Sequence, residues 1–448
     1  MGYLNEYKKK LVSADEAVKV VKSGDWIDYG PMNAQVVALD QALARRKDEL
    51  EDVKVWSLLT LRPPKIVEVD PEGQSFIWHS WHLSGLDRKM AGTGRPVYYS
   101  SIKYSELPRY VREHIEPIDV AMLQVVPMDR HGWFNFGPQN SHSKAICDRA
   151  KIVIVEINSK MPRCLGGHEE AVHISQVDYI VEGENPSLVQ LPESSCSEID
   201  KKAAQFIIKE MSDDCCVQLG IGGMPNAVGK MIAESDLKNL GCHTEMLVDA
   251  YIDLYEAGIL TNLKKQINPG KLVYAFAVGT QRLYNFIDDN PQCASCPVNY
   301  TNKPSIAALN DKLITINNAI EVDLYGQVCA ESSGTRIISG TGGQLDFVLA
   351  GYESRGGKSI VCLPSSNIGK DGKKHSRIVP TLTSGAIVTD PRSVAQYIVT
   401  EYGIFEMKGM SVWQRAEGLI NLAHPDFRDV LIKDAERQGI WRRRHKIV

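Results

Sequence analysis

Nowhere do the 448 residues hold the ~18 uninterrupted apolar side chains that a membrane span needs, and the first ten are polar with three consecutive lysines. No membrane association and no secretory leader are expected, and the reading places the chain in the cytoplasm. An extended basic tract is also missing. The 51 Lys and Arg stand against 55 Asp and Glu for a net charge of −4. The one basic cluster, Trp441-Arg442-Arg443-Arg444, comes at the very end, so nucleic acid is set aside as a partner. Cys293 and Cys296 form a CxxC with no second pair to complete four ligands, and no metal is expected there. The ten cysteines, without a secretory signal, read as reduced thiols. Three catalytic signatures are absent: G-x-S-x-G, HExxH and G-x-x-x-x-G-K-[ST]. Serine-hydrolase, zinc-hydrolase and P-loop chemistry therefore lack their defining residues.

What is present is a chain 43% hydrophobic, enough to fill cores in two or three domains of roughly 150 residues. Short apolar runs alternate with amphipathic segments, which predicts an α/β class with largely parallel sheets. Strands are predicted over 119–126, 152–156, 273–277 and 359–363, and helices over 34–46, 198–211, 226–234 and 412–423. The polar stretch Glu182–Glu198, with its Pro and Ser residues, reads as a linker. It divides the chain into an N-terminal α/β domain, 1–190, and a C-terminal one, 191–448.

The two parts read as copies of one unit. Ser23 to Gly30 leads into a helix, an acidic turn at Asp48-Glu49-Leu50 and a strand at Val53–Trp56; Ser212 to Gly220 leads into a helix, Ser235-Asp236-Leu237 and a strand from Leu240. Extending that register sets Glu245 against Leu58, a carboxylate where the other copy has an apolar side chain. One copy carries chemistry on this reading, and the other packs.

Three glycine clusters stand out. Gly220-Ile221-Gly222-Gly223-Met224-Pro225-Asn226 lies between a strand and a helix, where backbone N–H groups can approach a ligand closely. Pro225 occupies the place of the last glycine of a dinucleotide fingerprint, so this is not one. Ser339 to Phe347, containing Gly342 and Gly343, offers further adjacent donors; Ser354-Arg355-Gly356-Gly357-Lys358 adds positive charge. Together they are read as a possible anion site, with Arg355, Lys358 and Lys370 equally readable as solvated charges. Glu245 ends a strand that leads away from the first turn, and active groups of open α/β sheets gather at such strand ends. The turn and the carboxylate are thus expected to face one crevice. His243 reads as a packing residue, and Asp129-Arg130-His131-Gly132 as a plain turn.

Taken together, several motifs resemble the acetyl-CoA hydrolase/transferase family: Leu219 to Val228, His243-Thr244-Glu245-Met246, Ile316 to Gly326, Gly342 to Phe347, Ser376 to Pro380, Val399 to Gly403 and Ala423 to Arg428. Tyr104 to Tyr110 and Met161 to Gly167 are similar to the group within it that moves CoA between butyrate and acetate. The resemblance implies two similar open α/β domains with the active site in the cleft between them. It implies Glu245 as the catalytic residue, covalently acylated and then linked to CoA. CoA binding would fall on Gly220, Ile221, Gly222, Gly223 and Met224, with Ile320, Gly343 and Lys370, while Asn302, Gly342 and Glu401 would line the active site. Short-chain acyl-CoA and acetate are the implied substrates, butyryl-CoA foremost, with 4-hydroxybutyrate or propionate transfer and acyl-CoA hydrolysis as alternatives. Coenzyme A enters as a substrate, no separate cofactor is expected, and the resemblance implies a homodimer.

Overall fold

A computed structural model describes residues 2–191 and 195–442. Pro192, Glu193 and Ser194 of the linker, and Arg443 and Arg444 of the basic cluster, lie outside the described residues. Within the linker, residues 183–191 and 195–197 carry neither helix nor strand. Among the described residues no helix is long and apolar enough to cross a membrane, and all ten cysteines are free thiols.

The chain packs as two compact units, one of Met1–Pro192, Glu245–Val248 and Val273–Thr301, the other of Glu193–Thr244, Asp249–Leu272 and Asn302–Val448. The first unit holds a seven-stranded sheet: β1 (Trp26–Pro31), β2 (Val53–Leu58), β3 (Phe76–Ser80), β4 (Val97–Tyr99), β5 (Val120–Val125), β6 (Ile152–Ile157) and β7 (Tyr179–Glu182). They run parallel in the order β4-β3-β2-β1-β5-β6-β7. Strand β5 is buried at every residue, which is why its sequence is a near-continuous apolar run rather than an alternation. The helix expected over 34–46 forms only at α1 (Ala38–Ala44). A single 3-10 turn, Met32–Ala34, precedes it, and the buried Glu156 carboxylate takes the N–H groups of Val37 and Leu39 and so sets where the helix begins.

A second, eight-stranded sheet contains β8 (Cys216–Leu219), β9 (Gly241–Leu247), β10 (Leu272–Ala277), β11 (Cys293–Ser295), β12 (Leu313–Asn318), β13 (Lys358–Cys362), β14 (Tyr397–Thr400) and β15 (Gly403–Glu406). Its order is β11-β10-β9-β8-β12-β13-β14-β15, with β15 antiparallel to β14. Among the helices that flank these strands in sequence are α2 (Glu198–Lys209), α3 (Gly223–Ala233), α4 (Gln344–Glu353) and α5 (Val412–Leu422). A reciprocal pair, Ser197 Oγ with the Asp200 N–H and Asp200 Oδ2 with the Ser197 N–H, starts α2. The structure begins α3 at Gly223, three residues before the sequence expectation. Pro225 falls in its first turn, where N–H groups have no partner within the helix and a proline costs little.

The two sheets repeat one plan. Numbered within each sheet, the first order reads 4-3-2-1-5-6-7 and the second repeats it with an eighth strand added at the end, and the ladders agree residue by residue. Ile27 faces Val55 and Val120, Val120 faces Ile152, and Ile154 faces Tyr179. In the other sheet Val217 faces Cys242 and Ile314, Ile314 faces Lys358, and Ile360 faces Tyr397. Val55 therefore corresponds to Cys242, and three residues further Leu58 corresponds to Glu245, as the sequence register requires. Leu58 is 4% exposed in the core of the first unit, a burial that contributes about 1.5–3 kcal/mol. That copy packs.

Asp28 carries a testable consequence of the same comparison, since its counterpart in the second sheet is the uncharged Gln218. Burial pushes the Asp28 carboxyl up to about 8, against the opposing hydrogen bond from the Gly30 N–H at 2.7 Å. The folded chain then holds a proton that the unfolded chain has released at any pH between the ordinary carboxyl range and about 8. Unfolding becomes easier as pH rises through that window, by up to about 1.4 kcal/mol per pH unit. Asp28→Asn removes the linkage. Urea titrations from pH 5 to 8 are expected to show the variant gaining on the parent with each step, and parallel pH profiles would contradict the assignment.

Candidate active site

Glu245 stands on β9, whose preceding residues are anchored from inside. The Cys242 N–H donates to Asn262 Oδ1 at 2.8 Å, and His243 is fully buried with Nδ1 3.3 Å from Asn310 Nδ2. His243 packs, as expected. Thr244 is also fully buried, whereas Glu245 is only partly so.

Its neighbourhood in the first unit includes residues that sequence reasoning did not assign. Tyr104, 4% exposed, sets its ring edge-on to Phe276 and pairs its hydroxyl with Ser141 Oγ. Ser141 Oγ in turn lies 3.0 Å from His142 Nδ1. Burial above all, and then the charge of Glu245, raise the Tyr104 phenol well above its ordinary value, against the Ser141 hydrogen bond. Burial lowers His142 to about 3, so both groups are neutral. Ser141 has φ +45, a conformation unfavourable for a residue with a side chain. Two backbone bonds hold it there, from its own N–H to the Ala275 carbonyl at 2.9 Å and from the Val298 N–H to its carbonyl at 2.8 Å. The result is a chain of neutral polar groups beside one ionisable carboxylate. A carboxylate partly withdrawn from water beside such groups, when ionised, is suited to act as a nucleophile.

In the second unit, the 220–224 turn is built against the end of β12. The Gly220 N–H donates to the Ile316 carbonyl at 2.8 Å, and Asn318 Nδ2 donates to the Ile221 carbonyl at 2.7 Å. Gly222 has φ +115 and caps α3 without any side-chain bond. A Cβ on Gly220 would lie 3.1 Å from the Ile316 carbonyl oxygen, and one on Gly222 2.9 Å from Asn318 Nδ2. The glycines are therefore demanded by close approach. Ile221 is 53% exposed and Met224 is buried. Ile320 follows β12 by two residues, its N–H bonded to the Cys329 carbonyl.

Gly343 caps α4, and Gly342 before it has φ +53. Glu401 follows β14 and accepts from the Ser365 N–H at 2.9 Å and Ser365 Oγ at 2.6 Å. Asn302 is fully buried. Lys370 is exposed, between the paired strands Ser366–Ile368 and Lys374–Ser376. A cavity of about 590 Å³ opens beside this hairpin, bordered among others by Ile320, Glu321, Lys374, Arg377, Phe427 and Asp434, which mixes charges of both signs with apolar surface.

The third glycine cluster does not join the second. Helix α4 has ten residues, about 15 Å at 1.5 Å per residue, and it separates Gly343 at one end from Ser354–Lys358 at the other. Arg355 pairs with Asp311, and Lys358 Nζ lies 2.6 Å from Glu210 Oε2. Both charges are spent on local ion pairs. Cys293 and Cys296 are buried, and no group of three or more potential metal-binding side chains occurs among the described residues.

With this geometry in view, comparison with known proteins places the chain. Residues 1–190 match the acetyl-CoA hydrolase/transferase N-terminal domain and residues 279–435 the corresponding C-terminal domain. A butyryl-CoA:acetate CoA-transferase of Anaerostipes caccae is 56% identical over 447 residues, covering 100% of both chains. A probable butyrate:acetyl-CoA coenzyme A-transferase of Syntrophomonas wolfei is 52% identical over 99% of both. The crystal structure of RipA from Yersinia pestis superposes with a TM-score of 0.89 at 34% identity, covering 98% of this chain and 100% of that one. The chain belongs to the acetyl-CoA hydrolase/transferase family and is a CoA-transferase enzyme.

Proposed function

We propose that this enzyme moves CoA from a short-chain acyl-CoA, butyryl-CoA foremost, to acetate through a covalent glutamyl-CoA thioester on Glu245. The observation that carries the reading is the carboxylate of Glu245 at the strand position where the other copy buries Leu58. A carboxylate nucleophile suits CoA exchange between acids because every intermediate remains an activated acyl group. One Glu245 oxygen attacks the thioester carbonyl, the C–S bond breaks, and CoA leaves as the thiolate, giving a mixed anhydride. The thiolate then attacks the glutamyl carbonyl, the anhydride C–O bond breaks, and butyrate departs. Acetate attacks the glutamyl thioester, and the same steps run in reverse to yield acetyl-CoA.

Each attack makes a tetrahedral oxyanion, and backbone N–H groups at Ile221 and Gly343 are the proposed donors; losing one such donor costs about 10²–10³ in rate. An ionised carboxylate and a thiolate have no proton to lose, so the chemistry calls for neither a general base nor a separate cofactor. The 56%-identical relative named for butyryl-CoA and acetate supports butyryl as the donor. One methylene in an apolar pocket is worth only about 1–3 kcal/mol, so propionyl and 4-hydroxybutyryl donors are expected to react more slowly rather than fail. The reading includes a homodimer in the cytoplasm.

The test is a donor panel with and without acetate. Exchange that needs the acceptor, with ping-pong kinetics and highest kcat/KM for butyryl-CoA, is expected; steady release of free CoA without acceptor would instead make the enzyme a hydrolase.

A further inference from the structure

Two buried acids stand behind the glycine pair Gly342–Gly343. Glu331 is 3% exposed and Asp390 fully buried. The segment of Asp390 is fixed on Val328, shortly before Glu331 in the chain: the Thr389 and Asp390 N–H groups donate to the Val328 carbonyl at 2.8 and 3.2 Å, and the Val328 N–H donates to the Asp390 carbonyl at 3.1 Å. From this base both acids reach the loop that carries the glycines. The Glu331 carbonyl takes the N–H groups of Ile338 at 2.7 Å and Ser339 at 3.2 Å. Its Oε2 accepts from Thr341 Oγ1 at 3.4 Å and its Oε1 from Thr389 Oγ1 at 3.0 Å. Asp390 Oδ2 accepts from Gln344 Nε2 at 2.7 Å. The residues on either side of the glycine pair are thus each tied by a side chain to a buried acid. The Thr341 tie is long and weak, the Gln344 tie short and strong, so Asp390 does most of the holding.

The arrangement costs stability. Asp390 Oδ1 has no hydrogen-bond partner among the described residues, and burial, then the charge of Glu331, push the carboxyl up to about 7 against the Gln344 bond. The glycines give that cost a reason. Gly342, at φ +53, and Gly343 have no side chains to anchor their peptide by packing, and an oxyanion donor works only when its direction is fixed before the charge develops.

We infer that Asp390, acting through Gln344, is a positioning residue that fixes the Gly342–Gly343 peptide so that its N–H meets the tetrahedral oxyanion, with Glu331 steadying the same loop through Thr341. The inference deepens the proposed function and rests on its reading that the Gly343 N–H is an oxyanion donor. The oxyanion exists only during attack, so turnover is affected more than binding.

Steady-state kinetics with butyryl-CoA and acetate test it, with melting curves to show that each variant is folded. Gln344→Ala and Asp390→Ala cut the tie from either end, and each is expected to lower kcat about tenfold or more while KM for butyryl-CoA stays within about threefold. The double variant is expected to lose no more than either single one, because both remove one bond. Asp390→Asn keeps an oxygen that accepts from Gln344 and is expected to recover kcat to within about threefold of the parent. Parental kcat in Gln344→Ala, or losses that multiply in the double variant, overturns the inference. Should Asp390→Ala not fold, Gln344→Ala and Asp390→Asn decide alone. Gly343→Pro deletes the N–H at a residue whose φ is −98, and it separates this inference from the reading beneath it. A loss of about 10²-fold or more in Gly343→Pro beside an unaltered Gln344→Ala sinks only the inference, whereas parental kcat in a folded Gly343→Pro sinks the donor reading itself.

Discussion

Glu245→Gln is expected to lose about 10⁴-fold or more of kcat/KM for CoA exchange, the scale on which removing a covalent nucleophile acts. The amide keeps the size and most of the packing of the side chain but offers no anionic oxygen to attack a thioester. Glu245→Asp retains the charge and withdraws it by one methylene. A displacement of that order costs about 10²-fold, so the shorter acid is expected to fall between the parent and the amide. Glu245 is only partly buried, so both variants should fold, and initial rates of acetyl-CoA formation from butyryl-CoA and acetate separate the three enzymes. Full exchange in Glu245→Gln would refute the role.

Gly222→Ala is expected to have the next largest effect, on a different constant. At φ +115 an alanine is strained, and its Cβ would stand 2.9 Å from Asn318 Nδ2. Relief requires the turn to shift or Asn318 to leave the Ile221 carbonyl, and either moves the backbone donors that the proposed function assigns to CoA. KM for butyryl-CoA is expected to rise about 10²-fold, as a misplacement near 1 Å would do. Gly258→Ala serves as the control, since Gly258 also has positive φ, +73, with nothing within 4 Å of the added carbon. It carries the backbone strain without the clash and is expected to leave KM unchanged. Equal KM values for both variants would show that the 220–224 turn does not hold the substrate.

How legible the molecule is from sequence depends on whether a feature is local. Strands β5, β6 and β13 are parallel and almost wholly buried, and such strands write themselves as apolar runs. The repeat was legible because two copies could be compared, and it singled out Glu245 without reference to any contact. Helix α1 came out shorter than its pattern because Glu156, over a hundred residues away, fixes its first turn. Proximity in sequence misled at Arg355 and Lys358, which follow Gly343 closely along the chain but sit across the length of α4 from it. The chain Tyr104–Ser141–His142 was missed for a related reason: Gln139 to Ser143 is a run of polar residues with no apolar pattern to mark it as interior, yet every one of them is buried. Contacts far along the chain account for that burial, those of Ser141 with the segments at Ala275 and Val298 and those of Asn140 with the His168 and Ser295 carbonyls.

Chemical capture of the intermediate addresses the covalent scheme most directly. The enzyme is incubated with butyryl-CoA, treated with borohydride and digested, and the peptide spanning Glu245 is weighed. Reduction of the side-chain thioester to an alcohol at Glu245, absent when butyryl-CoA is withheld, is the predicted result. An unmodified carboxyl on that peptide, from enzyme shown to be exchanging CoA in the same tube, would contradict it.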